Sequence, residues 1–150
     1  MNDGTDVTVR VIEASDAIAV SELLGQLGYP VAAGQLHNRI HRFDAAPSAE
    51  AVVAVADDAR VIGLASLHRL SLLTDDAPLA FLTSLVVAED YRGRGIGQRL
   101  VEHVSRRARE LGCTRIAVTT HLRRAGAHAF YERLGFEFTG RRYVRALDPL

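Results

Sequence analysis

Apolar residues in this chain alternate with polar ones along several short runs and recur every three or four residues along others. The first pattern is typical of β-strands and the second of amphipathic α-helices. We expect strands at 7–12, 51–56, 61–68, 80–87, 115–120, 136–138 and 143–147. We expect helices from residue 15 or 16 to about 27, and at 31–43, 95–111 and 126–134.

This element order, β-α-α-β-β-β-α-β-α-β-β, predicts the α/β class of the α+β type. The four residues 57–60 make a tight turn, so the strands on either side of it form an antiparallel hairpin. The helix at 95–111 carries one apolar face, which suits it to cover a sheet. We therefore predict a mixed, mostly antiparallel central sheet with helices on both faces, in a single domain of residues 1–150.

The composition is that of a globular protein, with 48% hydrophobic and 24% charged residues. No apolar run approaches the roughly 18 residues of a membrane helix. The first residues lack the basic and apolar segments of a signal peptide. We therefore expect a cytoplasmic protein without a membrane partner. A single cysteine excludes an internal disulfide.

The net charge is zero and gives no indication of a nucleic-acid partner. All 18 basic residues are arginine, and they are unevenly distributed. Residues 1–90 hold 5 arginines and 13 acidic residues, whereas residues 91–150 hold 13 arginines and 5 acidic residues. The basic C-terminal part suits a phosphorylated ligand. Solvated helix faces explain the asymmetry equally well.

A glycine-rich segment, Arg92-Gly93-Arg94-Gly95-Ile96-Gly97, lies between a predicted strand and a predicted helix. Glycine lets the backbone approach a ligand closely, and the unpaired N–H groups of a helix N-terminus bind phosphate. A P-loop is excluded because the chain has no lysine. The G-x-G-x-G spacing also departs from the G-x-G-x-x-G of a dinucleotide fold. A tight turn without a ligand remains the alternative.

Residues 85–97 resemble the acetyl-CoA motif of the GNAT N-acetyltransferase superfamily, whose core is [QR]-x-x-G-x-[GA]. Residues 127–136, Ala-His-Ala-Phe-Tyr-Glu-Arg-Leu-Gly-Phe, are similar to a second motif of that family, A-x-x-F-Y-x-x-x-G-F. The resemblance implies a GNAT-like fold and an acetyl-CoA-dependent N-acetyltransferase. It also implies that two central strands part at a bulge and that acetyl-CoA binds in the gap.

The resemblance also implies roles for individual residues. The backbone N–H of Leu85 would polarise the acetyl carbonyl, and Tyr131 would be the general acid that protonates the leaving thiolate. Side chains at 85 and 87 also fit a plain strand core. The acetyl-CoA-binding residues would be Leu85, Val86, Val87, Arg92, Gly93, Arg94, Gly95, Ile96, Gly97, Gln98 and Arg124.

The general base is not indicated, because residues 81–84 hold no carboxylate where many relatives place a glutamate. The candidates are His68, His121, Asp75, Asp76, or a water chain held by Thr83 or Ser84. Substrate contacts are expected from Tyr29, Asp75, Thr83 and His121. The histidines show no metal-ligand spacing, so no metal is expected.

We expect transfer of an acetyl group to a primary amine of a small molecule, by direct attack within a ternary complex. A weaker resemblance, in residues 124–131, is to aminoalkylphosphonate N-acetyltransferases. The alternatives are acetylation of protein lysines or N-termini, and a non-catalytic CoA-binding regulatory module. Since the family often dimerises, we also expect a homodimer.

Overall fold

The computed structural model describes residues 6–120 and 125–149. The chain forms two compact units, Met1–Val118 and Thr119–Leu150. That residues 1–150 make one domain stays a prediction. Within the described ranges, no helix combines the length and the apolar character needed to cross a membrane.

A five-stranded sheet forms the centre of the first unit. Its strands are β1 (Thr8–Val11), β2 (Ala49–Val55), β3 (Val61–Leu70), β4 (Leu79–Val87) and β5 (Arg115–Val118). They lie in the order β1-β2-β3-β4-β5. The first four pair antiparallel with their neighbours, and β4 pairs with β5 in parallel. The predicted class, a mixed and mostly antiparallel sheet, is confirmed.

Helices connect the strands close to the predicted positions. The α-helices are α1 (Ala17–Leu27), α2 (Ala33–Ala45), α3 (Ile96–Glu110) and, in the second unit, α4 (Ala125–Arg133). Short 3-10 helices lie at Ala14–Asp16 and Glu89–Tyr91. The first of the α-helices ends at Gly28, whose φ of 101° is left-handed and favours glycine. Helix α2 begins at Ala33, later than predicted, because the backbone of Ala32 is extended.

The two faces of the sheet are covered by different helices. Successive residues of a strand point to opposite faces. The ring of His68 packs on Phe43 of α2, with ring centroids 5.3 Å apart. Its neighbour Arg69 donates from Nε to the carbonyl of Leu111, directly after α3, at 3.0 Å. Helices α2 and α3 therefore lie on opposite faces, as predicted.

The two terminal strands predicted at 136–138 and 143–147 are wrong. The structure assigns neither helix nor strand to residues 136–149. Phe138, Tyr143 and Val144 are exposed to 79%, 85% and 75%. An alternating pattern signals a strand only if another strand supplies its hydrogen bonds. No such partner is present among the described residues, so the segment stays irregular.

Candidate active site

Within the described part of the first unit, strand β4 extends beyond the end of its pairing with β5, and we call the β5-side edge of residues 83–87 the open edge. The parallel ladder runs from the pair Leu79–Arg115 to the pair Leu82–Val118 and ends there, while β4 continues to Val87. In its pairing with β3, the register shifts between the pair Ser66–Ser84 and the pair Leu67–Leu82. Thr83 is the extra residue of this β-bulge. The bulge thus lies in β4, where the resemblance implies one, whereas a parting of β4 from the chain beyond Val118 stays a prediction.

The backbone groups that face this edge can be derived from the hydrogen bonds after β4. The N–H of Ala88 donates to the carbonyl of Ile62, the second residue of β3, at 2.8 Å. Because backbone groups alternate in direction along a strand, those of Val86 also face β3, and those of Leu85 and Val87 face the open edge. Consistently, the Val87 carbonyl accepts a bond from Nε of Arg92 at 3.2 Å.

The glycine loop leads from this edge into α3. Gly93 and Gly95 have φ angles of 76° and 78°, in the left-handed region that favours glycine. The N-cap residue of α3 is Gly95, which has no side chain to cap the helix, and the first helical bond runs from Arg99 N–H to the Gly95 carbonyl at 3.1 Å. The N–H groups in the first turn of a helix have no acceptor within the helix. The buried Ile96 anchors this end to the core.

Charged and aromatic side chains contact one another just before and within the glycine loop. Asp90 pairs with Arg60 at 2.9 Å, and the hydrogen bond from this guanidinium lowers the pKa of Asp90. The guanidinium of Arg94 lies 4.9 Å from the ring centroid of Tyr91, and its Nη2 donates to the Asp90 carbonyl at 3.3 Å. Left-handed glycines, an uncapped helix start and nearby arginines suit a pyrophosphate. The loop therefore fits the predicted coenzyme.

A chain of polar side chains lies on the α2 face of the sheet, at the bulge. Oγ1 of Thr83 lies 2.7 Å from Oγ of Ser66 and 3.1 Å from Nδ1 of His68. Two predicted residues, Thr83 and His68, are thus brought together. Sequence patterns do not indicate Ser66, because it lies within an apolar strand and meets Thr83 only through the register of β3 and β4.

Other predicted residues occupy different surroundings. Asp75 accepts bonds from Arg115 at 3.0 Å and from the N–H of Ala77 at 2.9 Å, so it closes a turn before β4. Tyr29 is 66% exposed after α1. Within the second unit, Tyr131 packs between Phe130 and Phe136, with ring centroids 5.3 and 5.4 Å away. His121 and Arg124 fall outside the described residues.

A cavity of about 340 Å³ lies elsewhere in the first unit. It is bordered by the loop after α2, the start of β2, and Arg107 and Leu111. Arg107 forms ion pairs with Glu50 at 2.7 Å and Glu110 at 3.1 Å. The cavity is therefore at the opposite end of α3 from the glycine loop, and its lining includes Phe43, which packs on His68.

Comparisons with known proteins agree with this geometry. Residues 20–136 match the model of the acetyltransferase (GNAT) family. The chain is 30% identical to a glucosamine 6-phosphate N-acetyltransferase of Trypanosoma brucei brucei, over 91% of the chain and 92% of that protein. It is 32% identical to an aminoalkylphosphonate N-acetyltransferase of Salmonella typhimurium, over 58% of the chain and 56% of that protein.

A solved aminoglycoside N-acetyltransferase in complex with CoA has the same fold. It superposes with a TM-score of 0.85 at 22% identity, over 98% of both chains. The family match and the relative that aligns along most of the chain make the protein an acyltransferase that uses a coenzyme. The chain belongs to the acetyltransferase (GNAT) family. It is an N-acetyltransferase, with acetyl-CoA as its co-substrate.

Proposed function

We propose that the protein moves the acetyl group of acetyl-CoA to a primary amine of a small molecule, by direct attack within a ternary complex. The observation that carries the proposal is the edge of β4 beyond Leu82. There the backbone groups of Leu85 and Val87 face away from β3 and have no strand partner in β5. Such groups can bind the amide groups of an extended coenzyme arm as a neighbouring strand would.

The glycine loop would hold the pyrophosphate of the coenzyme. The N–H groups of residues 96–98 belong to the first turn of α3 and are directed out of its N-terminus. The helix dipole adds positive potential there. Arg92 and Arg94 would add charged contacts. The remaining predicted contacts, Gly93, Gly95 and the undescribed Arg124, belong to the same proposal, whereas the backbone groups of Val86 face β3 and make no proposed contact.

We propose that the backbone of β4 stabilises the negative charge that develops in the transition state. The attack of an amine on a thioester places negative charge on the carbonyl oxygen, and a fixed N–H donor stabilises that oxygen in the transition state. The N–H of Leu85 is our candidate, because it faces the open edge two residues after the bulge. Tyr131 stays a prediction as the general acid for the thiolate.

The relatives support a small amine as the acceptor. Relatives that align along more than half of the chain are named for glucosamine 6-phosphate, aminoglycosides and aminoalkylphosphonates. The substrate-side residues His68 and Thr83 lie on the α2 face of the sheet. We propose that the amine approaches the acetyl group from this face, with Tyr29, Asp75 and His121 as further candidate contacts.

The test is thiol release from acetyl-CoA against a panel of amines. The panel comprises glucosamine 6-phosphate, aminoalkylphosphonates, aminoglycosides, polyamines, amino acids and lysine peptides. We expect turnover with at least one small amine and little with the peptides. Preference for the peptides would favour a protein acceptor instead. Binding of acetyl-CoA without turnover of any amine would favour a regulatory module.

A further inference from the structure

We propose that Ser66, Thr83 and His68 form a proton relay, in which Ser66 fixes the direction of transfer from the acceptor amine through Thr83 to Nδ1 of His68. The inference rests on the proposed function and adds to it a path for the amine proton. It assigns a role to Ser66, which neither the sequence patterns nor the family motifs indicate.

The direction follows from the burial of Ser66. Its side chain is 5% exposed, and Thr83 provides its hydrogen-bond partner among the described side chains, at 2.7 Å. A buried hydroxyl whose proton has no acceptor costs about 1–3 kcal/mol. Ser66 therefore donates to Oγ1 of Thr83, since the opposite direction would leave the proton of Ser66 without an acceptor there.

The proton of Thr83 then has two acceptors within reach. Nδ1 of His68 lies at 3.1 Å, and the backbone carbonyl of Ser66 lies at 3.5 Å. A hydroxyl donor bonds best at about 2.7–2.8 Å, so the longer contact is the weaker one. Thr83 therefore donates to Nδ1, and the neutral imidazole of His68 carries its own proton on Nε2.

The packing of His68 keeps this arrangement in place. Its ring lies edge-on to Phe43 of α2, with an interplanar angle of 70°. The Phe43 ring restricts rotation of the imidazole, so Nδ1 stays directed at Thr83. Thr83 itself is exposed at the bulge, two residues before Leu85. Two residues of a strand span about 6–7 Å, which brings an amine at Thr83 close to a carbonyl at the Leu85 N–H.

The proposed step conserves protons and electron pairs. As the neutral amine forms its N–C bond to the acetyl carbon, the C=O π electrons move to the oxygen, and the nitrogen becomes positively charged and acidic. One N–H proton passes to Oγ1 of Thr83, while the original proton of Thr83 passes to Nδ1. Thr83 remains neutral and now accepts hydrogen bonds from the hydroxyl of Ser66 and from the Nδ1–H of His68. His68 becomes an imidazolium. The C–S bond breaks afterwards.

The first test needs no substrate. Nitrogen-15 NMR of the histidine-labelled protein reports which ring nitrogen carries the proton, and the His68→Asn variant assigns the signal. At a pH where His68 is neutral, we expect the proton on Nε2, and a detectable Nδ1–H population in Ser66→Ala. A wild-type imidazole protonated on Nδ1 would overturn the direction of the relay.

The second test is kinetic. Thr83→Val removes the hydroxyl at nearly constant volume, and we expect kcat to fall by about 10²-fold, as for loss of a general base. Thr83→Ser keeps the hydroxyl and should retain kcat within about 3-fold, and Ser66→Ala should lose about 10-fold by the same reasoning. The KM for acetyl-CoA should stay unchanged in all three. Thr8→Val, on the exposed part of β1, is the matched control.

The two tests separate the relay from the proposed function. An active wild type together with an active Thr83→Val would refute the relay and leave the acetyltransfer intact. If the wild type turned over no amine, the proposed function would fail, and the position of the His68 proton would still decide whether Ser66 sets the hydrogen-bond direction.

Discussion

Leu82 of β4 and Val118 of β5 form the last pair of the parallel ladder, and β4 continues for five residues beyond it. The bulge at Thr83 begins directly after this pair. One edge of a central strand is thereby left without a strand neighbour in β5, next to the loop that leads into α3. This relationship joins the proposed coenzyme site to the proposed proton relay.

Substitution of Gly95 tests the glycine loop. Gly95→Ala should raise the KM for acetyl-CoA about 10-fold, since a β-carbon would stand where the backbone is proposed to meet the pyrophosphate. The free energy of unfolding should fall by about 1–2 kcal/mol, because the φ of 78° is unfavourable for alanine. Steady-state kinetics and denaturant unfolding measure the two effects.

The matched control is Gly25→Ala in α1. A β-carbon at either glycine meets no atom of the described residues within 4 Å, apart from its chain neighbours and its own helix, but Gly25 has ordinary helical geometry. We expect this control to keep its KM. An unchanged KM in Gly95→Ala as well would contradict the proposed role of the loop.

Tyr131→Phe tests the proposed general acid. The phenyl ring preserves the packing against Phe130 and Phe136 and removes only the hydroxyl. We expect kcat to fall by about 10²-fold, while the dissociation constant for CoA stays the same. Tyr143→Phe, at a position that is 85% exposed, is the control. Equal rates for the two variants would remove Tyr131 from the mechanism.

The ion pair between Arg10 and Asp16 makes stability depend on pH. Burial alone would raise the pKa of Asp16, but bonds from Arg10 at 2.8 and 2.9 Å and from the Glu13 N–H at 2.8 Å outweigh it and lower the pKa. The unfolded chain therefore binds the proton more readily. The stabilisation is present above the unfolded pKa of about 4 and is lost as the pH falls through the lower folded pKa.

Asp16→Asn checks this linkage. We expect the variant to lose about 2–3 kcal/mol of unfolding free energy at pH 7, as for hydrogen bonds to a charged group. Its stability should also vary less between about pH 5 and pH 3 than that of the wild type. Denaturant titrations across this range measure the unfolding free energy of both proteins. If it depended on pH in the same way in both, Asp16 would be excluded as the source of the pH dependence.

Light scattering tests the predicted homodimer. Phe138 and Val144 are 79% and 75% exposed in the irregular segment after α4. Exposed large apolar residues often mark an interface. We expect twice the 16.3 kDa chain mass, and a shift toward one chain in Phe138→Ser/Val144→Ser. A wild type of single-chain mass at working concentration would refute the dimer.

The sequence predicted those parts of the fold that depend on local pattern. The strands β2, β3 and β4 and the helix α3 were found because their apolar residues repeat with the right period. The strands at 136–138 and 143–147 were predicted wrongly from the same kind of pattern, since forming a strand also requires a partner.

The candidate site was predicted only in part, for a similar reason. The residues of the glycine loop are contiguous in sequence and follow β4 closely, so the motif can be identified from the sequence alone. The contact between Ser66 and Thr83 joins residues 17 positions apart and depends on one extra residue in β4. A β-bulge leaves no clear mark in a single sequence, so this contact could not be predicted.

An amide NMR titration with CoA tests the central claim most directly. If the open edge of β4 and the start of α3 bind the coenzyme, the N–H signals of Leu85, Val87 and residues 96–98 should shift most and become protected from hydrogen exchange. The N–H of Val86, which faces β3, should be much less affected. Shifts concentrated around the cavity at Arg107 and Leu111, with Leu85 and Val87 unchanged, would contradict the account.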